Sequence, residues 1–346
     1  MNADLDIERE AELERYLRDT GRIAPDEKID VKVLAGGVSN RTVWVRRASG
    51  ECWVLKQALA KLRVKVDWFA DPRRVQREAM GLRFLANLAP AGAITPLVFE
   101  DPHHHLLAMQ AVCDPHQNWK TMLLAGDLQP HHVCQFARIL AQIHRNAFEQ
   151  RDRLAQEFQD RSFFESLRIE PYYLYSAEHE PRAQHFLHNL VDQTRATRRT
   201  LVHGDYSPKN ILVHQDKLVL LDHEVIHFGE PAFDVGFAMT HLLSKAHHLP
   251  SHRNQFAEAA HLFWQTYRTD IAAVAWSTDI EPRSIRHTIA CLLARVVGRS
   301  PLEYLDEQKR NAQREAAVAL INTEPAAIPN FIERFLAYLS SGNSGA

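Results

Sequence analysis

Asp205, Asn210 and Asp222 are the residues of this 346-residue chain whose type and spacing speak most directly of chemistry. They stand in His203-Gly204-Asp205-Tyr206-Ser207-Pro208-Lys209-Asn210 and in Leu220-Leu221-Asp222-His223-Glu224. Short β-like runs flank both stretches, and Gln215-Asp216-Lys217 reads as a hairpin turn between them. A carboxylate at 205 can orient or deprotonate an attacking hydroxyl. The amide oxygen of Asn210 and the carboxylate of Asp222 are hard donors suited to magnesium held through a triphosphate. Phosphoryl transfer rests on positioning and charge neutralisation, which a three-point oxygen frame supplies. An isolated Asp or Asn in a loop more often caps a turn through its own backbone. The Asp-x-x-x-x-Asn spacing between two strand-like flanks favours the chemical reading here.

Upstream residues supply matching parts. Gly36-Gly37-Val38-Ser39-Asn40 lies between two strand-like runs, where its backbone amides can approach a phosphate without Cβ obstruction. Lys56 ends Trp53-Val54-Leu55-Lys56 and is placed to meet the α- and β-phosphates of ATP. Glu78, 22 residues further on in a helical pattern, is the expected partner that holds Lys56; its other reading is a solvated helix residue. The run from Leu106 to Val112 offers backbone groups, at Gln110 and Val112, that can hydrogen-bond adenine, or it is an ordinary strand.

These residues need elements to carry them. The pattern predicts a helix at Leu5–Leu17, then strands at Ile29–Leu34, Thr42–Arg47 and Cys52–Gln57 joined by tight turns as a meander. A helix from Pro72 to about Asn87 follows, then strands near Thr95–Phe99 and Leu106–Val112. From Asn118 onward the periodicity is helical: 118–125, 130–147, 153–167, 181–197, 231–246, 252–268, 282–297, 301–320 and 328–340. The expected organisation is a β-rich nucleotide-binding lobe over 1–112 and a helical catalytic and substrate lobe over 113–346.

Composition narrows the partners. Forty-one Lys and Arg face 43 Asp and Glu, so no basic excess points to nucleic acid and no acidic field points to a polycation. Four cysteines without C-x-x-C spacing indicate neither zinc knuckle nor redox motif and suit a reducing cytoplasm. Adjacent histidines at 103–105 and 247–248 read as surface turns rather than metal sites. No apolar run is long enough to suggest a membrane span, and Met1 to Glu14 lacks the apolar core of a signal peptide.

Together these residues resemble the aminoglycoside phosphotransferase and choline kinase family of small-molecule kinases. His-Gly-Asp-x-x-Pro-x-Asn at 203–210, Leu-Asp-His-Glu at 221–224 and Gly-Glu-Pro-Ala-Phe-Asp-Val-Gly at 229–236 carry the resemblance, which spans about 33–305. It implies an α+β, bilobal protein-kinase-like fold with ATP between the lobes. It further implies Asp205 as catalytic base, Asn210 and Asp222 as Mg2+ ligands, and Asp234 and His203 as organisers of the loop. Glu224 matches a position that is often acidic and is expected to hold metal or substrate. The stretches after Val54-Leu55-Lys56 and at Ala294-Arg295-Val296-Val297-Gly298 look like 5-methylthioribose kinases, whereas Pro208-Lys209-Asn210 is nearer the aminoglycoside and choline branch. Arg295 is the candidate substrate contact, able to bind a carboxylate, phosphate or sugar hydroxyls, or else a helix-surface ion pair.

Two rival readings stand against a kinase acting on a small hydroxylated molecule. A silent nucleotide-binding pseudokinase would be expected to lack part of the set Lys56, Asp205, Asn210 and Asp222, which is complete. A metal-dependent hydrolase built on His203, Asp205, Asp222 and His223 leaves Lys56 and the glycine turn without a use.

Overall fold

A computed structural model describes residues 5–34, 39–63 and 69–341. Its first part is a five-stranded antiparallel sheet of β1 (Asp30–Val33), β2 (Asn40–Arg46), β3 (Cys52–Ala58), β4 (Leu97–Asp101) and β5 (Leu106–Gln110). The spatial order is β1-β2-β3-β5-β4, so β5 pairs with both β3 and β4 and the simple meander breaks there. The burial pattern explains the exchange. Four consecutive residues of β5, Leu106 to Met109, are buried on both faces, whereas β4 is half-buried and bulged between Leu97 and Phe99, as befits an edge.

On one face Leu13 and Leu17 of the helix Glu10–Asp19 pack with Val43, Val45, Trp53, Leu55 and Ala108. On the other, Val75, Ala79 and Leu82 of the helix Arg74–Leu88 join Leu107 and Met109 in the core shared with the helical part. Alternation along β2 and β3 therefore decides which side chains reach which helix.

The helical part is centred on Pro231–His248, which is buried along nearly its whole length. Its sequence is mostly apolar around the helix, as suits one surrounded by others, with Asp234, His241 and Lys245 buried among the apolar residues. Arg253–Asp270 and Ile280–Val297 flank it. Two small sheets accompany the helices: Ile211–His214 between Lys217–Leu220 and Gln117–Asn118, and Thr200–Val202 with His227–Gly229. They anchor both ends of the loops that hold Asp205 and Asp222. No helix among the described residues is long and apolar enough to cross a membrane.

Three helix expectations differ from the structure. The helix expected at Leu5–Leu17 spans Glu10–Asp19 instead. The segment expected as 153–167 breaks after Glu157 and continues as a widened π coil, Glu165–Leu174, that contains Pro171. Proline has no N–H to give an α-helical ladder, so a local widening relieves the mismatch. The helix expected from 301 starts at Glu307 instead, because Asp306 caps it by accepting from the Lys309 amide at 2.8 Å.

Candidate active site

Lys56 projects from β3 into a cleft, where its Nζ donates to Glu78 Oε1 at 2.6 Å and to Asp222 Oδ1 at 3.1 Å. Burial works against the ammonium charge, yet Asp222 and Glu78 outweigh it and hold the Lys56 pKa above its usual value. Asp222 is pulled the opposite way: burial opposes its ionisation, and Lys56 with Lys209 overrides that and lowers its pKa. Burial pushes Glu78 upward against the attraction of Lys56. Glu78 reaches this position because its helix lies close against the 222–226 segment. A Cβ on Gly81 would stand only 2.8 Å from the His223 Cβ.

Arg74, one turn before Glu78 and fully buried, binds the same region together. Its Nε donates to Glu224 Oε2 at 3.1 Å, while Nη2 donates to the Leu59 carbonyl at 3.0 Å and to the Ser39 carbonyl. Glu224, expected to meet metal or substrate, is thus engaged on one oxygen by Arg74. Burial, followed by repulsion from Asp222, raises its pKa.

Across the cleft, Asp234 Oδ2 accepts from the His203 amide at 2.7 Å and Oδ1 from the Gly204 amide at 2.8 Å. Its Oδ2 also meets His144 Nε2 at 3.3 Å. The Asp205 amide in turn donates to His203 Nδ1 at 3.2 Å. Gly204 is the pivot. It has φ +78°, and a Cβ there would lie 2.9 Å from Val225 Cγ2, so this position is closed to side chains. The loop then delivers Asp205 with both carboxylate oxygens fixed: Oδ1 by Arg168 Nη2 at 2.9 Å and Oδ2 by Asn210 Nδ2 at 2.7 Å.

The Asn210 carbonyl accepts from the Leu221 amide at 2.9 Å, which brings Asp222 alongside. Asp222 has φ 68°, a left-handed conformation that costs about 1 kcal/mol or more outside glycine and is concentrated at functional sites. Asp205, Asn210, Asp222, Lys56 and Glu78 therefore meet in one cleft.

Beside Lys56 opens a cavity of about 560 Å³, walled by Leu34, Trp44, Val54, Met109, Leu212 and Leu221. Gln110 and Val112 line it as well. The Gln110 amide already donates to the Pro96 carbonyl and the Ala111 amide to that of Cys52, both at 2.9 Å. Gln110 therefore has no backbone N–H to offer a base, which narrows the adenine expectation to its carbonyl and side-chain amide and to Val112. Val112 enters no such backbone bond among the described residues. Ser39 and Asn40 sit at the start of β2, joined by an Asn40 Nδ2 to Ser39 Oγ bond of 3.2 Å. Gly36 and Gly37 lie outside the described residues.

Arg295 is buried in Ile280–Val297, and its Nη1 donates to Tyr172 Oη and Ser300 Oγ, both at 3.0 Å. It forms no surface ion pair among the described residues, which removes that alternative. The sequence reading did not single out Arg168 or Arg74. Arg168 lies on the widened coil, where periodicity gives no guide to facing, and Arg74 stands beside the exposed Arg73.

A two-lobed α+β fold with a paired lysine on the sheet and an Asp–Asn–Asp frame below it defines a protein-kinase-like enzyme acting on small molecules. The phosphotransferase enzyme family matches residues 30–276, and the chain belongs to it. A methylthioribose kinase of Pectobacterium carotovorum subsp. carotovorum is 24% identical over 335 residues, covering 84% of this chain and 81% of that protein. Among solved structures, an amicoumacin kinase in complex with AMP-PNP, Ca2+ and Ami superposes with TM-score 0.56 at 12% identity, covering 92% of this chain and 96% of that one. A Plasmodium vivax ethanolamine kinase gives TM-score 0.54 at 12% identity, with coverage of 97% and 89%. The structural likenesses show the shared fold.

Proposed function

We propose that the protein transfers the γ-phosphoryl group of Mg-ATP to a hydroxyl of a small molecule in the cytoplasm, with Asp205 as the base. The observation that carries this reading is the meeting of Asp205, Asn210, Asp222 and the Lys56–Glu78 pair in one cleft beside an apolar cavity. The cavity suits a flat base, with Val112 placed to hydrogen-bond it, and Ser39 and Asn40 border the phosphate side.

The donor set fits a magnesium ion. Asn210 turns its Nδ2 to Asp205, which leaves its amide oxygen free, and Asp222 gives one oxygen to Lys56 and keeps the other. Asn210 and Asp222 would hold the ion, which supplies charge neutralisation on the polyphosphate. Lys56 is kept cationic for the same phosphates by its two carboxylates. Arg168 and Asn210 hold Asp205 in a fixed orientation, so the acceptor hydroxyl meets a preorganised carboxylate and passes its proton to it. Four free cysteines accord with a reducing compartment.

The relatives named methylthioribose kinase support a sugar-like acceptor, with amino-alcohols and aminoglycoside-like molecules as the other members of the class. An ADP-release screen over these acceptors tests the reading. Turnover is expected with at least one and lowered by roughly a hundredfold or more in Asp205→Asn. Undiminished turnover in that variant would remove Asp205 from its role.

A further inference from the structure

Behind Arg168 lies a second group of cations that the phosphoryl-transfer frame does not use. Tyr172 separates the two guanidinium groups: Arg168 lies 5.5 Å and Arg295 5.6 Å from the centre of its ring. Arg168 in turn touches Asp205, so Arg295 is linked to that carboxylate through Tyr172 and Arg168. Arg295 is nine-tenths buried, and its Nε has no hydrogen-bond partner among the described residues.

Next to it, on the central helix, Lys245 has no exposed surface. Its Nζ donates to the His241 carbonyl at 3.2 Å and stands 5.5 Å over the Tyr304 ring. Among the described residues neither Arg295 nor Lys245 forms an ion pair with a carboxylate. The acid in the neighbourhood, Glu303, is already joined to Lys120.

Buried cations without counter-ions are costly, and proteins keep them where a ligand completes the charge. Burial, followed by repulsion from Lys120, lowers the Lys245 pKa to about 7. An ammonium-bearing acceptor would meet like charge here.

We infer that the acceptor carries an anionic group, a carboxylate or phosphate, received by Arg295 with Lys245 behind it, while its hydroxyl faces Asp205. This rests on the phosphotransferase reading above and, within it, selects an acidic sugar-like acceptor over the amino-alcohols and aminoglycoside-like molecules. Arg295 offers the contact, and Lys245 supplies field from the buried side.

The test uses the full-length enzyme, Mg-ATP and acceptors matched in skeleton: glycerol, glycerate and glycerol 3-phosphate; glucose, gluconate and glucose 6-phosphate; pantothenol and pantothenate; and the neutral sugar methylthioribose. Mg-ATP affinity is measured separately by calorimetry. An acidic member is expected to exceed its neutral counterpart in kcat/KM by about tenfold or more, and the carboxylate and phosphate arms show which anion is taken. Arg295→Gln and Lys245→Met should each shrink that ratio to about twofold through KM, with kcat and Mg-ATP affinity retained, while Arg295→Lys recovers part of it. Thermal melts establish that each variant is folded. A preference for neutral or amine acceptors, a ratio unchanged in both variants, or Mg-ATP binding with no acid in the panel used would each overturn the inference. Absence of Mg-ATP binding would instead overturn the phosphotransferase reading and this inference with it.

Discussion

Two charged regions flank Asp205, and they treat burial in opposite ways. On the sheet side, Lys56 has two carboxylates within hydrogen-bond reach, so its charge is satisfied before any ligand arrives. On the helical side, Lys245 and Arg295 are as deeply enclosed but have carbonyl, hydroxyl and aromatic neighbours. The difference separates a self-contained pair, which keeps one geometry whether or not nucleotide is present, from a group whose charge a ligand must balance. Stability and ligand preference should therefore respond differently to mutation on the two sides.

The largest effect is expected between the two regions. Asp205→Asn should lower kcat by roughly a hundred- to ten-thousandfold and leave Mg-ATP affinity in calorimetry intact. Lys56→Met comes next. It strands Glu78 and Asp222 without their cation and should destabilise the fold by about 3–5 kcal/mol in urea unfolding. Lys56→Met/Glu78→Gln should recover part of that loss, and no recovery would mean that the pair is not the cause.

Lys245→Met carries the comparison to the other side. Removing a cation that has no carboxylate partner should leave the ligand-free protein unchanged or more stable by up to about 3 kcal/mol, the reverse of the result at Lys56. Equal destabilisation at both positions would break the contrast.

The smallest effect is in its pH dependence. Lys245 titrates near 7 when folded and near 10.4 in an unfolded chain. Between those values the unfolded chain binds more protons, so this residue's contribution to stability grows as pH rises and is lost as pH falls toward 7. Arg295, Lys120, Glu303 and His241 face it in both proteins. Wild type should hence gain about 2 kcal/mol of stability relative to Lys245→Met from pH 7 to pH 9, as read by parallel urea titrations.

Much of the frame was legible because local order encodes it. Asp205, Asn210 and Asp222 share one strand–loop–strand passage, and the structure brings them together with Lys56 and Glu78, whose expected pairing is present. The cationic side was not legible in the same way. Arg295 was named as the candidate substrate contact, whereas Arg168 and Lys245, on other helical segments, were not, because in a helical pattern a buried Lys or Arg looks like a solvated one. The π coil moved Arg168 out of any 3.6-residue phase. The exchange of β4 and β5 escaped because both runs suit a strand, and their order depends on how many faces the finished core covers.

Arg74 has a mechanical consequence. One guanidinium gathers the carbonyls of Ser39 and Leu59 and the carboxylate of Glu224, so the exit of β3, the entry of β2 and the segment after Asp222 share a single fastening. Thermal agitation that frees one should free all three. Amide deuterium uptake around these stretches would then rise at a common rate, and Arg74→Lys, with too few prongs for three anchors, would let them drift apart.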